Sequence, residues 1–206
     1  MKKILALLIV FISNYTQAYT PPSFDDVIVE FRTSYFYPSS SRFRQIFDRQ
    51  RINYQLTGSF PICHAWWSRL NLWTAVNYLS LEGRSTGIGD RTSLRMIPVT
   101  LGLKYFLPSL CCKGSPDFYI AGGMKYYFVH NYNDSNYVQK SIDRKGWGGV
   151  AEVGCLFSIR DCYVLDLFAA YSFKSFHGPS SSNPYVISSR MKLDGFDIGV
   201  GVGYRF

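Results

Sequence analysis

Two histidine-containing segments carry the residue types from which a nucleophile could be built. His130 is followed by Asp134 and Ser135, and His177 is followed by Ser180. A serine hydroxyl becomes a strong nucleophile when an imidazole removes its proton and a carboxylate orients the ring. Neither set falls in a recognisable catalytic motif, and a histidine beside a loop is more often an ordinary polar residue. We therefore expect no catalytic residues and no enzyme activity.

The first 18 residues have the pattern of a secretory signal. Lys2 and Lys3 precede an apolar run over residues 4–12, and the small residue Ala18 follows. The apolar run is too short to cross a bilayer as a helix. We predict that residues 1–18 are the signal peptide and that residues 19–206 form one domain.

Five cysteines are the next candidates for chemistry in an exported chain. They are Cys63, Cys111, Cys112, Cys155 and Cys162. None of their spacings is typical of a zinc site, and we predict no metal and no cofactor. Disulfides form outside the cytoplasm, and an odd count leaves at least one thiol free or paired with another molecule. Crosslinks to neighbouring envelope proteins, internal pairs and buried free thiols all stay open.

Apolar and polar residues alternate in eight segments of the remaining chain. This two-residue period is typical of half-buried strands, and tyrosine, phenylalanine and glycine are abundant. The segments are residues 27–37, 52–60, 69–78, 96–105, 118–128, 151–159, 163–174 and 196–206. Polar connections of about 12 to 18 residues alternate with shorter ones. The sequence therefore predicts an all-β, eight-stranded antiparallel up-and-down barrel with short turns at one rim and long loops at the other.

Side-chain volume decides which row of each strand faces inward. An eight-stranded barrel has an interior that side chains only just fill. The apolar rows are bulky, whereas the polar rows are rich in Gly, Ala, Ser and Thr. Aromatic residues also mark the ends of the apolar row in the last two segments, as in the two girdles of a barrel in a bilayer. We predict that the bulky rows face lipid and that short turns lie in the periplasm.

The C-terminal segment carries the most specific signal. Phe196–Phe206 keeps apolar residues in strict alternation and stops on Phe206. With the signal peptide and the eight strands, the chain resembles small bacterial outer-membrane barrels of the OmpA, OmpX or OmpW kind. The resemblance implies a cell outer membrane location and an insertion signal that the barrel assembly machinery reads. That signal would comprise Val200, Val202, Tyr204 and Phe206. If the cysteines crosslink the barrel to its neighbours, the arrangement resembles the disulfide-linked envelope of chlamydia-like bacteria.

Ten charged residues fall on the inward rows. They are Glu30, Arg32, Arg69, Lys104, Lys125, Glu152, Asp166, Lys174, Asp197 and Arg205. Isolated charges in a narrow interior are costly, so they should pair, and Lys125 with Glu152 is the predicted pair. The network is either structural filling, which we favour, or part of a polar path for small solutes.

The first long connection is basic and offers a contact for the outer surface. It carries Arg42, Arg44, Arg49 and Arg51, whose guanidinium groups match phosphate geometry. These arginines are predicted to contact lipopolysaccharide, with a simply solvated loop as the alternative. No helix or aromatic platform for bases is evident, so the positive net charge does not indicate nucleic acid. The predicted function is a structural or surface-interaction role in envelope integrity, adhesion or lipopolysaccharide contact. Narrow porin-like transport is the alternative, and a lipid A-modifying enzyme is less favoured.

Overall fold

The fold is seen in a computed structural model that describes residues 26–47, 51–62, 69–84, 91–108, 116–134, 141–159, 162–176 and 191–206. The predicted signal peptide, Arg49, Cys63, Cys111 and Cys112 lie outside these residues, and the side chain of Arg42 is not described. Within the described residues, none of the helices is long and apolar enough to cross a membrane.

Eight antiparallel strands close into one barrel, as the alternation predicts. In chain order the elements begin with β1 (Ile28–Pro38), α1 (Ser41–Ile46), β2 (Ile52–Pro61), β3 (Leu70–Arg84), β4 (Arg91–Phe106) and β5 (Asp117–Asn133). They continue with β6 (Ser141–Ile159), β7 (Tyr163–Phe173), β8 (Ser175–Phe176), β9 (Met191–Lys192) and β10 (Gly195–Arg205). Each barrel strand pairs with its neighbour in sequence, and β10 pairs with both β7 and β1 to close the ring. The strands β8 and β9 form a separate two-stranded sheet.

The predicted inward and outward rows are confirmed over the bilayer-spanning part of the barrel. On β1 the outward Phe31 is 53% exposed, whereas the inward Arg32 is fully buried. The outward rows of the other strands are likewise apolar and exposed, so the barrel presents an apolar band to its surroundings. Within this part of the barrel, closure pairs the edges of all eight strands, which lipid could not hydrate.

Four strands are longer than the sequence predicts. The strands β3, β4, β5 and β6 have 15, 16, 17 and 19 residues, against 11 in β1, β7 and β10. About 9–11 tilted residues cross a bilayer, so β3–β6 project beyond it on the side of the long connections. Much of the segments predicted as long loops after β3 and β5 is therefore strand, and that prediction was wrong.

The polarity of the two faces reverses where these strands leave the membrane band. Below this point the outward row is apolar, ending at Tyr78 on β3 and Ile97 on β4. Beyond it the inward Leu81 and Leu94 are fully buried, and the outward Glu82 is exposed. The projecting sheet thus has the apolar-in, polar-out pattern of a strand in water. The sequence predicts each strand from a single row of alternating apolar residues. That row ends where the polarity reverses, so the residues beyond it were predicted to be loops.

Candidate functional site

A buried ion cluster crosses the middle of the barrel interior. The Arg32 guanidinium lies 2.7 Å from Glu30 Oε2, 2.7 Å from Glu152 Oε1 and 2.8 Å from Asp166 Oδ2. All four side chains are at most 1% exposed. A guanidinium presents five N–H donors in a fixed fork, so one arginine can serve several carboxylates at once. The predicted network is therefore centred on Arg32.

A glycine on β10 makes this convergence possible. Arg32 on β1 is in register with Gly201, and Gly201 is in register with Asp166 on β7. A Cβ at position 201 would lie 2.6 Å from Arg32 Cγ, so a larger residue would force the arginine aside. The alternating glycines of the last strand therefore leave the space that the arginine crosses to reach β7.

Tyr119 and Lys104 complete the cluster. The Tyr119 hydroxyl lies 3.0 Å from Asp166 Oδ2 and 3.1 Å from Glu152 Oε1. Lys104 Nζ lies 3.5 Å from Glu30 Oε2 and 4.3 Å from the centre of the Tyr119 ring. The cluster then holds three carboxylates against two cations. Sequence reasoning missed Tyr119, although it shares the inward parity of Lys125 on the same strand.

A second polar layer lies nearer the outer end of the barrel. Asp197 accepts hydrogen bonds from Ser34 Oγ at 3.0 Å and Asn53 Nδ2 at 3.2 Å. Lys125 Nζ donates to Ser172 Oγ at 2.9 Å. This layer is neutral overall if both charged groups are ionised, and it continues the polar lining above the Arg32 cluster.

The predicted pair of Lys125 with Glu152 was wrong. Glu152 is opposite Ala121 in the β5–β6 register, four residues along β5 from Lys125, and its carboxylate is held by Arg32 and Tyr119. The prediction counted residues from the turn and did not allow for the register between the two strands.

The other predicted network residues lie apart from the cluster. Arg69 and Arg205 are near Asp117 at the turn end of the barrel. Lys174 Nζ donates to the carbonyl oxygen of Trp147, just beyond the end of β7. Lys174 is thus a residue of the outer rim, and its assignment to the interior network was wrong because β7 ends at residue 173.

A buried apolar cluster, here called the apolar plug, lies at the outer end of the barrel interior. The plug consists of Phe43 on α1, Phe47 immediately after α1, and Leu193. These side chains pack on the inward residues of the projecting sheet. The wall side of the plug consists of Phe36, Leu79, Leu81, Leu94, Met96, Tyr127 and Val129. Burying each phenylalanine contributes about 1.5–3 kcal/mol, so α1 is held firmly over the lumen.

A glycine and an arginine fix the position of α1. A Cβ at Gly83 would overlap the carbonyl oxygen of Ile46, so only glycine allows the helix this close to β3. Arg51 is buried and donates from Nε and Nη2 to the carbonyl oxygen of Phe47, at 3.1 and 3.0 Å. Arg44 donates to the carbonyl oxygen of Pro38 at 3.2 Å and lies over the Tyr37 ring. Two of the four arginines predicted to contact lipopolysaccharide thus make contacts within their own loop, and their contact with lipopolysaccharide stays a prediction.

The remaining candidates within the described part of the chain lie on or near the barrel wall, whereas Ser135, His177 and Ser180 lie outside that part. His130 Nδ1 contacts Asp143 Oδ1 on β6, while Asp134 donates its backbone N–H to the carbonyl oxygen of Arg91. Within the described part of the chain, Cys155 and Cys162 are unpaired and partly exposed. The predicted insertion-signal residues Val200, Val202, Tyr204 and Phe206 all face outward on or just after β10.

Solved structures with the same architecture align with nearly the whole barrel. The outer membrane protein OprG from Pseudomonas aeruginosa gives a TM-score of 0.60 at 18% identity, over 92% of this chain and 99% of that chain. A major outer membrane protein from Thermus thermophilus gives 0.56 at 13% identity, over 88% and 98%. Neisserial surface protein A gives 0.53 at 14% identity, over 87% and 97%.

These likenesses are of fold. No protein-family model matches the sequence, and comparison with curated proteins also finds no match. The alignments nevertheless agree with the apolar outer band and the paired strand edges, which suit a bilayer. The chain is thus an eight-stranded β-barrel of the cell outer membrane, with its bulky apolar rows toward lipid.

Proposed function

We propose that the protein is a non-conducting, non-enzymatic barrel with a structural and surface-interaction role. In this proposal the membrane part is an anchor with a closed lumen, and the projecting sheet β3–β6 with α1 is the part that meets the outer surface. The observation that supports the proposal is that the buried Arg32 cluster and the apolar plug occupy successive levels of the barrel interior. In this proposal they act as two seals in series.

The first seal favours closure on energetic grounds. Moving the Arg32 side chain out of the way would strand three buried carboxylates, and breaking one buried ion pair costs about 3–5 kcal/mol. The second seal is apolar. An ion that passed through it would lose its hydrating water without gaining polar partners, which is energetically costly. A solute would have to displace both.

The rigid outer sheet favours surface interaction. Its inward face is buried against α1, so its outward face is held in one geometry rather than on a loose loop. Contact of Arg42, Arg44, Arg49 and Arg51 with lipopolysaccharide, delivery by the barrel assembly machinery and disulfide links to envelope proteins belong to the same proposal. None of these partners requires a catalytic residue.

Narrow transport of small solutes is the second candidate. It is favoured by the polar layer of Lys125, Ser172 and Asp197, which offers hydrogen-bonding groups above the ion cluster. In that case α1 would be a gate rather than a permanent plug.

Planar-bilayer conductance of the wild type and a Gly83→Val variant tests the two candidates. The substitution forces α1 away from β3, which proteolysis of residues 39–51 would report. We expect both proteins to show no stable openings, because the Arg32 cluster still closes the lumen. Gly122→Val is the matched control, since a Cβ there meets only the carbonyl oxygen of Val150 at 3.8 Å. Stable channels in the wild type would refute closure, and channels only in Gly83→Val would establish α1 as a gate.

A further inference from the structure

The outward face of the projecting sheet carries cations immediately beyond the membrane band. On β4 the last apolar outward residue is Ile97, and the next outward residue is Arg95. On β6 the last apolar outward residue is Trp147, which is in register with Tyr126 on β5, and the next outward residue is Lys145. Both cations are exposed and stand where polar headgroups meet the aromatic girdle.

Neither cation is neutralised within the described part of the chain. Lys145 Nζ lies 5.7 Å from the centre of the Phe128 ring and makes no ion pair there, and Arg95 makes none either. The nearest carboxylate in the strand register is Asp143, which His130 contacts across β5 and β6. The two cations therefore leave positive charge at this level.

Their spacing suits a ligand with more than one phosphate. Arg95 is in register with His130 on β5, whereas Lys145 is in register with Phe128, two residues along that strand. Two strand spacings of about 4.8 Å and this two-residue offset put the two Cα atoms roughly 12 Å apart. Arg binds phosphate through a planar fork of donors and Lys through a point charge. Lipid acyl chains would meanwhile lie on the apolar residues just below.

We infer that Arg95 and Lys145 bind the phosphate groups of an outer-leaflet glycolipid, with its acyl chains against the aromatic girdle of β5 and β6. The inference deepens the surface-interaction role proposed above, on which it rests, by giving the contact with an outer-leaflet lipid a defined pair of cations. It also places the contact on the barrel wall, apart from the arginines of the first connection.

Binding of purified lipid A to the barrel in zwitterionic nanodiscs tests this site. An exposed basic residue near an anionic membrane surface contributes about fivefold to affinity, so Arg95→Gln with Lys145→Gln should weaken binding about 30-fold at low ionic strength. Dephosphorylated lipid A with the same acyl chains should bind the wild type and this variant equally. The charge-conserving exchange Arg95→Lys with Lys145→Arg should retain most of the binding.

A second basic pair provides the matched control. Arg84 on β3 and Arg91 on β4 are neighbours in the strand register near the tip of the same sheet. Arg91 is four residues from Arg95 along β4. Arg84→Gln with Arg91→Gln should change affinity less than about threefold, since screening weakens charges about 13 Å further from the headgroups. Equal loss in both double variants, or no loss in the first, would overturn the inference. Inorganic phosphate that binds as well as lipid A would also overturn it, by making the ligand a soluble anion. Planar-bilayer conductance tests the closed lumen and does not depend on lipid A binding. The proposed closed lumen and the proposed lipid site can therefore be refuted separately.

Discussion

Replacing Arg32 with methionine removes the cation around which the interior is organised. Methionine keeps much of the volume of the side chain, so the main effect is the loss of charge and of donors to Glu30, Glu152 and Asp166. Breaking one buried ion pair costs about 3–5 kcal/mol. Here one guanidinium serves three carboxylates, and Lys104 approaches only Glu30. We expect Arg32→Met to lower the free energy of unfolding by about 5 kcal/mol, the upper end of that range.

Asp166→Asn is the informative companion to this variant. It removes one of three carboxylates, so that two carboxylates remain against the two cations of the cluster. Asparagine can still accept a hydrogen bond from Tyr119, and the net loss should be about 1 kcal/mol, the usual contribution of one hydrogen bond. A purely local count of ion pairs would instead predict a large loss, because Asp166 lies 2.8 Å from Arg32.

Equilibrium urea unfolding in lipid vesicles or detergent, followed by tryptophan fluorescence, measures both variants. Gel migration before and after boiling would confirm that each one starts as a folded barrel. An Arg32→Met protein within about 1 kcal/mol of the wild type would refute the reasoning, since that is no more than one ordinary hydrogen bond contributes. An Asp166→Asn protein as unstable as Arg32→Met would refute it as well. In either case the cluster would be filling the interior without organising it.

Two further predictions concern assembly and crosslinking. Phe206→Ala should lower the yield of inserted barrel in cells and leave the unfolding free energy of the refolded protein nearly unchanged, because the ring is 71% exposed. Phe196→Ala, at the other end of β10, is the control, and an equal loss of insertion would argue against a C-terminal signal. Cys162→Ser should reduce the disulfide-linked species on non-reducing gels more than Cys155→Ser does, because Cys162 lies in the β6–β7 turn whereas Cys155 is on the wall of β6. Monomer alone in the wild type would dismiss crosslinking.

The membrane part of the barrel could be predicted from sequence because two periodic signals agree there. Rows of bulky apolar residues alternate with rows of small and polar ones, and an eight-stranded barrel has room inside only for the second kind. That argument correctly placed Glu30, Arg32 and Asp166 inside. It did not depend on knowing the register between strands.

Other features depended on register or on contacts distant in sequence. The choice of Arg32 as the partner of Glu152, which is 120 residues away, follows from barrel closure and from Gly201, and no local pattern encodes it. The large inward side chains of Trp73 and Tyr119 were missed because the volume argument favours small residues inside. Trp73 is nevertheless fully buried, and its indole N–H donates to Thr57 Oγ1 at 2.8 Å. The Tyr119 ring fills the space beside Gly154, where a Cβ would lie 2.5 Å from the tyrosine hydroxyl oxygen.

The projecting sheet was missed for a different reason. Within the membrane band the outward row of each strand is apolar and faces lipid. Beyond the boundary the outward row is polar and faces water, so the apolar residues move to the inward row. The reversal was visible in the sequence as Leu81 and Leu94 on the otherwise polar rows. Recognising it required the position of the boundary, which the aromatic girdle marks only once the strands are aligned.

The orientation of the rows is the central claim, and quenching of tryptophan fluorescence by brominated acyl chains tests it most directly. One variant would retain only Trp73, which is 1% exposed, and another would carry only Ile198→Trp, at a position that is 67% exposed. The account predicts strong quenching at position 198 and almost none at Trp73 in folded protein. Strong quenching of Trp73 with little at position 198 would contradict it.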